Sequence, residues 1–199
     1  MCHLSSDNQG GYALLEILIS MAIGLVVIVS LSSAFTMQRN AYDMNGQAME
    51  ALQVTRAALD MMVREISMAG YNPTGAAFPG IEYDTSQLHI RSDMDGDGTI
   101  AGPNEDITYK YSSGANQIMR RTGDDVFYSM ASNINTFSFA YMDGRGNATT
   151  VTIDIRQVQI RISAKTAKPT ADHVPKTLTM TSSAIAPNLA YPRGIGFGT

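Results

Sequence analysis

A run of 22 uncharged residues, Ile17 to Gln38, constrains this chain more than any other feature. At ~1.5 Å per residue, a helix of that length rises roughly 33 Å, enough to cross the hydrocarbon core of a bilayer. One acid, Glu16, stands at its threshold, and a glycine pair, Gly10-Gly11, comes shortly before. A carboxylate in hydrocarbon is costly unless it is paired or neutralised. A secretory signal peptide does not account for this pattern: its apolar core ordinarily runs ~7–15 residues, and only Ser32-Ser33-Ala34 offers a poor small-residue cleavage site. An ordinary single-pass anchor accounts for the length but leaves Glu16 and the glycines without a role.

The helical pattern does not stop where the charges return. Ala41, Met44, Ala48, Ala51/Leu52, Leu59, Met62, Ile66 and Ala69 recur at three-to-four spacing, and Arg39, Asp43, Glu50, Arg56, Asp60 and Arg64 fall largely elsewhere. No proline interrupts Tyr12 to Asn72; Gly70 suits a helix C-cap, and Pro73 bars continuation. The expectation is one helix from about Tyr12 to Ala69, apolar all round in its first half and striped in its second. A coiled coil is the alternative for the second half, but Ala and Met replace the Leu and Ile that such seams favour. A sheet packed on the stripe fits better.

Loop signals at Tyr71-Asn72-Pro73-Thr74-Gly75 and Phe78-Pro79-Gly80 open a different regime. Period-two segments predict strands over Gln87–Arg91, Asp106–Tyr111, Gln117–Arg121, Thr136–Tyr141 and Thr177–Ala184. Thr150–Ser163 alternates too, but its phase slips at Arg156-Gln157, which predicts a bulge or a break. Lys165–Pro175 reads as a loop, and the tail from Pro187 as loose. The fold class is α+β: a long N-terminal helix packed on a C-terminal antiparallel sheet.

Composition removes several function classes. The net charge is −4, and the only adjacent basic pair is Arg120-Arg121, which argues against a nucleic-acid partner. Cys2 is the single cysteine, so no intramolecular disulfide forms. His3, His89 and His173 are scattered, and no nucleophilic triad, nucleotide loop or zinc spacing is present. The chain does not read as an enzyme.

One constellation carries chemistry. Asp93-Met94-Asp95-Gly96-Asp97-Gly98-Thr99-Ile100 matches the first eight positions of a calcium loop. Oxygen donors stand at one, three and five, glycine at six, and the Thr99 carbonyl at seven. Position twelve is Asn104 rather than Glu; Glu105 and Asp106 follow and are the candidates to complete the shell. Structural Ca²⁺ is one reading, and a solvated acidic turn, which Asp-Gly pairs form readily, is the other.

The leader ending in Gly11, the aromatic Tyr12, Leu14-Leu15-Glu16 and the long apolar helix together resemble the prepilin signal of type IV pilins and type II secretion pseudopilins. The resemblance implies cleavage between Gly11 and Tyr12 by a membrane aspartyl prepilin peptidase and N-methylation of the new Tyr12 amine. It makes Glu16 an assembly residue, pairing with the Tyr12 amine of a neighbouring subunit. The leader departs from the usual pattern in carrying His3 and Asp7 but no Lys or Arg. The tract Ile66-Ser67-Met68-Ala69-Gly70-Tyr71, the acidic loop and a last strand running into Asn188-Leu189 resemble the PilW-type minor pilins, which are close in pattern to J-type pseudopilins. This implies a pilin-like fold: leader 1–11, transmembrane and assembly half of the helix 12–36, amphipathic half 37–70, and a soluble β-rich head 71–199. The implied partners are other pilins, the prepilin peptidase and methylase, the inner membrane and the pilus assembly platform. The implied location is the bacterial inner membrane with a periplasmic head, and then the pilus. A membrane-anchored, calcium-dependent binding module is the alternative from another class.

Overall fold

The structure is a computed structural model that describes residues 9–123, 126–166 and 176–190. Most of the leader with Cys2, His3 and Asp7, the greater part of the Lys165–Pro175 loop with His173, and the tail beyond residue 190 lie outside the described residues. The helix α1 runs Gln9–Met68 with no break. It contributes to two compact units, one ending at Asn45 and one beginning at Gly46.

In the first unit, the large apolar side chains from Tyr12 to Phe35 are all at least 50% exposed. An 18-residue window of this helix reaches a mean hydropathy of 2.7 with nothing buried, so it is long and apolar enough to cross a membrane. Ser30, Ser33 and Thr36 turn their hydroxyls back onto the carbonyls of Val26, Val29 and Ser32. These polar groups are thus satisfied within the helix, as an apolar surrounding requires.

The second unit begins where the stripe starts to be covered. Thr55, Ala58, Leu59, Met62, Ile66 and Ala69 are buried, and Ala51 and Val63 are half-buried beside them. Leu52, expected on the stripe, is exposed, and Thr55, a polar residue that the hydrophobic pattern passes over, takes an inward position. Its hydroxyl bonds the Ala51 carbonyl at 2.7 Å, so burying it leaves no orphaned donor. The helix ends at Met68, and Gly70 takes φ +74° as the expected C-cap.

Two antiparallel sheets follow instead of one. The first has the order β1-β2-β3-β4-β5, built from Ile81–Glu82, Gln87–Arg91, Asp106–Ser112, Gln117–Thr122 and Tyr128–Ala131. The second has the order β6-β7-β8, built from Ile134–Met142, Gln157–Lys165 and Thr177–Ile185. Five expected strands thus appear within two residues of their predicted ends. The expected strand over Thr150–Ser163 does break at the phase slip: Thr152–Asp154 forms a 3-10 turn, and only Gln157 onward joins the sheet. Leu88, Ile90, Ile107, Tyr109 and Ile118 of the first sheet and Val158, Ile160 and Ile162 of the second meet the helix stripe in one core.

The tail is ordered further than its composition suggests. Pro187–Ala190 forms a short helix, α2, and the Asn188 amide lies 3.4–3.5 Å from the Met68 and Ser67 carbonyls, near the end of α1. Leu189 presses against Gly70 and Gly80, where no side chain has room.

Candidate processing and metal-binding sites

Tyr12 and Glu16 lie four residues apart in α1, on one face of the helix. Both are exposed, and Glu16 borders an open apolar surface with Ala13, Ile17, Ser20 and Met21. No cation in the described residues is recorded as paired with Glu16. The carboxylate therefore stands on an apolar helix face, available to a positive group from outside the chain. Gly11 lies in the first turns of the same helix.

The acidic loop follows β2. Asp93 is fully buried and Asp95 and Asp97 are exposed, yet one carboxylate oxygen of each lies within 4.8 Å of the others. Asp93 is anchored from several directions. Its Oδ1 accepts the Gly96 N–H at 2.8 Å, and its Oδ2 accepts the Gly98 N–H at 3.1 Å and the Thr74 hydroxyl at 2.9 Å. Asp95 accepts from Asp97 N–H at 3.1 Å, and Asp97 from Thr99 N–H at 2.7 Å. Gly96 and Gly98 take φ +77° and +83°, conformations that fold the chain back around these carboxylates.

Glu105 and Asp106, adjacent in sequence, go to different places. Glu105 is buried and closes the loop: Oε1 accepts from Met94 N–H (2.7 Å) and Asp95 N–H (3.1 Å), and Oε2 from Gly102 N–H (2.7 Å). Asp106 is the first residue of β3 and points to the opposite face, where it meets His89 Nε2 at 2.5 Å, with Arg91 and Arg121 at 3.9 and 3.8 Å. The structure therefore does not bring Asp106 to the acidic loop: strand alternation turns it away. His89 is bound to this ion-pair cluster and also faces Glu82 at 3.4 Å.

A further constellation joins the helix to the sheet. Glu65 on α1 accepts the hydroxyl of the fully buried Tyr109, and Arg120 of β4 donates to it from Nη2 at 2.7 Å and Nε at 3.2 Å. Arg120 Nη2 also reaches Asn104 Oδ1 at 3.0 Å, at the end of the acidic loop. Burial works against the Arg120 charge, but the bond to Glu65 and its negative charge outweigh this and hold the guanidinium above its usual range. Burial, reinforced by the Glu65 charge, pushes the Tyr109 hydroxyl well above its ordinary value.

The sequence gives no sign of this network, since its members are 44 and 55 residues apart. The Thr74 contact to Asp93 is also unannounced. The clue would have been the Asn72-Pro73-Thr74-Gly75 turn, in which the buried Asn72 Oδ1 accepts the N–H groups of Gly75 and Ala76. Tyr71 O then accepts the Asp93 N–H at 2.8 Å, so the exit from α1 and the acidic loop are held together.

Comparison with known proteins addresses the N-terminal region directly. Residues 6–32 match the family model of the prokaryotic N-terminal methylation motif. That segment contains Gly11, Tyr12 and Glu16. Among solved structures, the chain is similar to a type IV-like pilin from Thermus thermophilus at 13% identity and a TM-score of 0.43. The alignment covers 69% of this chain and 97% of that one. No curated protein matches the sequence.

Proposed function

We propose that this chain is a minor pilin that takes part in type IV pilus assembly. The observation that carries the reading is the N-terminal methylation motif over residues 6–32, set on an apolar helix whose side chains are exposed. Prepilin peptidase cuts between Gly11 and Tyr12, and the amine of Tyr12 is methylated. The cationic amine that results belongs to the same helix face as Glu16. In the membrane, an isolated subunit keeps Glu16 without a full complement of partners, at an energetic cost. Docking against a neighbouring subunit supplies the neighbour's Tyr12 amine and removes that cost. Glu16 thus acts on assembly and register more than on folding. The soluble unit is carried on the periplasmic side of the inner membrane and then in the pilus, in a priming or tip complex with other pilins on the assembly platform.

Mass spectrometry of the membrane-extracted protein tests the first step. The expected mature chain begins at N-methylated Tyr12. A chain retaining residues 1–11 in a host with an active prepilin peptidase would overturn the reading. The second step is tested with Glu16→Ala, which is expected to be processed normally and to be absent from sheared filaments. Recovery in filaments at the wild-type level would remove Glu16 from assembly. The same features suit a J-type pseudopilin of a type II secretion system. Co-purification with pseudopilins rather than with pilins would favour that second reading.

We also propose that the acidic loop holds a structural Ca²⁺. The clustering of Asp93, Asp95 and Asp97 oxygens within 4.8 Å supports this, because hard carboxylate oxygens at that separation suit a hard cation. The Thr99 carbonyl and water would complete the shell, with Glu105 fixing the loop backbone from behind. Ca²⁺ would neutralise three like charges and order a connection that has no disulfide to order it. Calorimetric titration of the full chain is expected to show one site that is lost in Asp95→Asn; the absence of binding at millimolar Ca²⁺ would exclude it. A membrane-anchored, calcium-dependent module with no role in a polymer would bind the ion, tolerate replacement of Gly11 and Glu16, and have a mature N-terminus other than Tyr12.

A further inference from the structure

The turn Thr152–Asp154 carries Ile153, which at 78% exposure is the most exposed large apolar side chain among the described residues. The turn is held from two sides. Thr152 Oγ1 accepts the Tyr83 N–H at 3.2 Å, and Arg156 Nη1 donates to the Ile153 and Ile155 carbonyls at 2.7 and 2.8 Å. Fixing a turn so that it shows an isoleucine to water stabilises nothing unless something covers that side chain. Ile153 forms one wall of a groove of about 490 Å³. Ile81 and Ile155, both buried, form its floor, and Phe78, Pro79 and Leu189 line much of the rest.

The chain leaves α2 at this groove. Leu189, one of the lining residues, is seated against Gly70 and Gly80, and its N–H donates to the Ala186 carbonyl at 3.1 Å. The Asn188 amide, beside it, lies against the Ser67 and Met68 carbonyls. These contacts fix the point from which the following residues set out. The sequence continues Tyr191-Pro192-Arg193-Gly194-Ile195-Gly196-Phe197. Seven residues span at most roughly 25 Å, ample for a groove whose wall is the residue before Ala190.

We propose that the segment Tyr191–Phe197 of this same chain is the occupant of the groove, a strap that covers Ile153 with Ile195 and Phe197. An extended segment places residues two apart on one side, so Ile195 and Phe197 enter the groove together. Gly194 and Gly196 flank Ile195 and let the backbone lie close against the walls. Charge agrees with this placement. Arg193 is the only charged residue of the segment, and the exposed Asp154 stands next to Ile153. Arg156, the basic residue that lines the groove, has Nη1 turned to two carbonyls. The strap joins the turn that precedes β7 to the loop that follows α1, so it closes the soluble unit at the end where Asn188 already meets the helix. This inference does not depend on the assembly role proposed above.

Maleimide labelling and disulfide trapping of the full-length protein in detergent test it, with Cys2→Ser as the background. Ile153→Cys is expected to label about tenfold more slowly in the full chain than in a chain ending at Ala190, because a strap that opens locally uncovers its groove only part of the time. Phe197→Asp, which leaves the chain length unchanged, should restore the fast rate. Thr181→Cys, exposed on β8, should label equally fast with and without residues 191–199. Ile153→Cys combined with Phe197→Cys is expected to form a disulfide within one chain under copper–phenanthroline and air, whereas Thr181→Cys combined with Phe197→Cys is expected to form none. Equal labelling of Ile153→Cys in the full and shortened chains, or equal trapping at Ile153 and Thr181, overturns the proposal. A disulfide between Ile153→Cys and Phe197→Cys that joins only separate chains also overturns it and assigns the groove to a second copy. Fast labelling of the extracted full chain with slow labelling in filaments does the same in favour of a neighbouring subunit.

Discussion

Replacing Glu65 with Leu tests whether the helix is held to the first sheet by charge as well as by apolar packing. The substitution keeps volume and helix propensity but removes both acceptor oxygens. It strands the hydroxyl of Tyr109, which is fully buried, and leaves the Arg120 guanidinium with only Asn104. An unsatisfied buried donor costs about 1–3 kcal/mol, and breaking a buried ion pair from one side about 3–5 kcal/mol. Glu65 and Arg120 side chains are 17% and 18% exposed, which places the pair at the lower end of that range. The expected loss is about 3 kcal/mol, or roughly 6–12 °C for a unit of this size. Tyrosine near-UV circular dichroism of the full chain in detergent reads the transition. The chain has nine tyrosines and no tryptophan to obscure them. The test of the reasoning is the cycle with Tyr109→Phe. If the network is real, Glu65→Leu costs about 1 kcal/mol less when the hydroxyl is already gone. A loss under about 1 kcal/mol in the single variant, or strict additivity in the double, would refute the claim that these groups act together.

Alkaline pH should weaken the same unit. Burial raises the Tyr109 and Tyr141 hydroxyls above the ordinary ~10, so above that pH the unfolded chain releases protons that the folded chain keeps, and stability falls as pH rises. Urea titrations at pH 9 and 11 should show this loss, and Tyr141→Phe should reduce it. Asp84 and Asp143 have carboxyls held low by backbone N–H donors of Ser86 and of Asn147, so their contribution is present above pH ~4 and fades as pH falls further; Asp84→Asn should flatten the acid limb of a melting-temperature profile. Gly80→Ala places a Cβ 2.5 Å from the Gly70 Cα, a backbone atom that cannot swing away, and should cost about 2 kcal/mol by chemical denaturation. Adding 1 mM Ca²⁺ to the full chain should raise the melting temperature, and Asp97→Asn should remove the rise without lowering the metal-free value.

Local pattern carried much of this fold. A helix whose apolar residues recur at three-to-four spacing, and strands such as Gln87–Arg91 and Thr177–Ile185 that alternate cleanly, were legible because each residue's surroundings are set by its own element. What escaped is what tertiary contact decides. Thr55 is buried because it falls on the face of α1 that packs into the core, and the Ala51 carbonyl of the same helix satisfies its hydroxyl there. The division into two sheets depends on which strands pair, and β1 and β5, at two and four residues, are too short to show a period. Thr150–Ser163 was half legible. The slip at Arg156 marked a break, but Val151 and Ile153 alternate like a strand while lying exposed at a 3-10 turn. In the acidic loop, the three aspartates were visible from spacing alone, whereas the destination of Asp106 was fixed by His89, 17 residues away.

Five carboxylates show how little the residue type decides by itself. Glu105 is buried and fully met by three backbone N–H groups, so its work is finished within the loop. Glu65 is met by Tyr109 and Arg120 and fastens one element to another. Asp106 sits among His89, Arg91 and Arg121 on the outer face of the first sheet. Asp93 is buried and accepts from Gly96, Gly98 and Thr74, and the carboxylates of two exposed acids, Asp95 and Asp97, lie beside it with oxygens within 4.8 Å of one another. Glu16 stands on an apolar surface, and none of the described cations is recorded as its partner. The first three are satisfied within the chain and stabilise it. For the last two a partner from outside the chain is proposed, a metal ion in one case and another subunit's amine in the other. The proposed functions of this protein therefore reside in the carboxylates set where a partner from outside the fold can reach them.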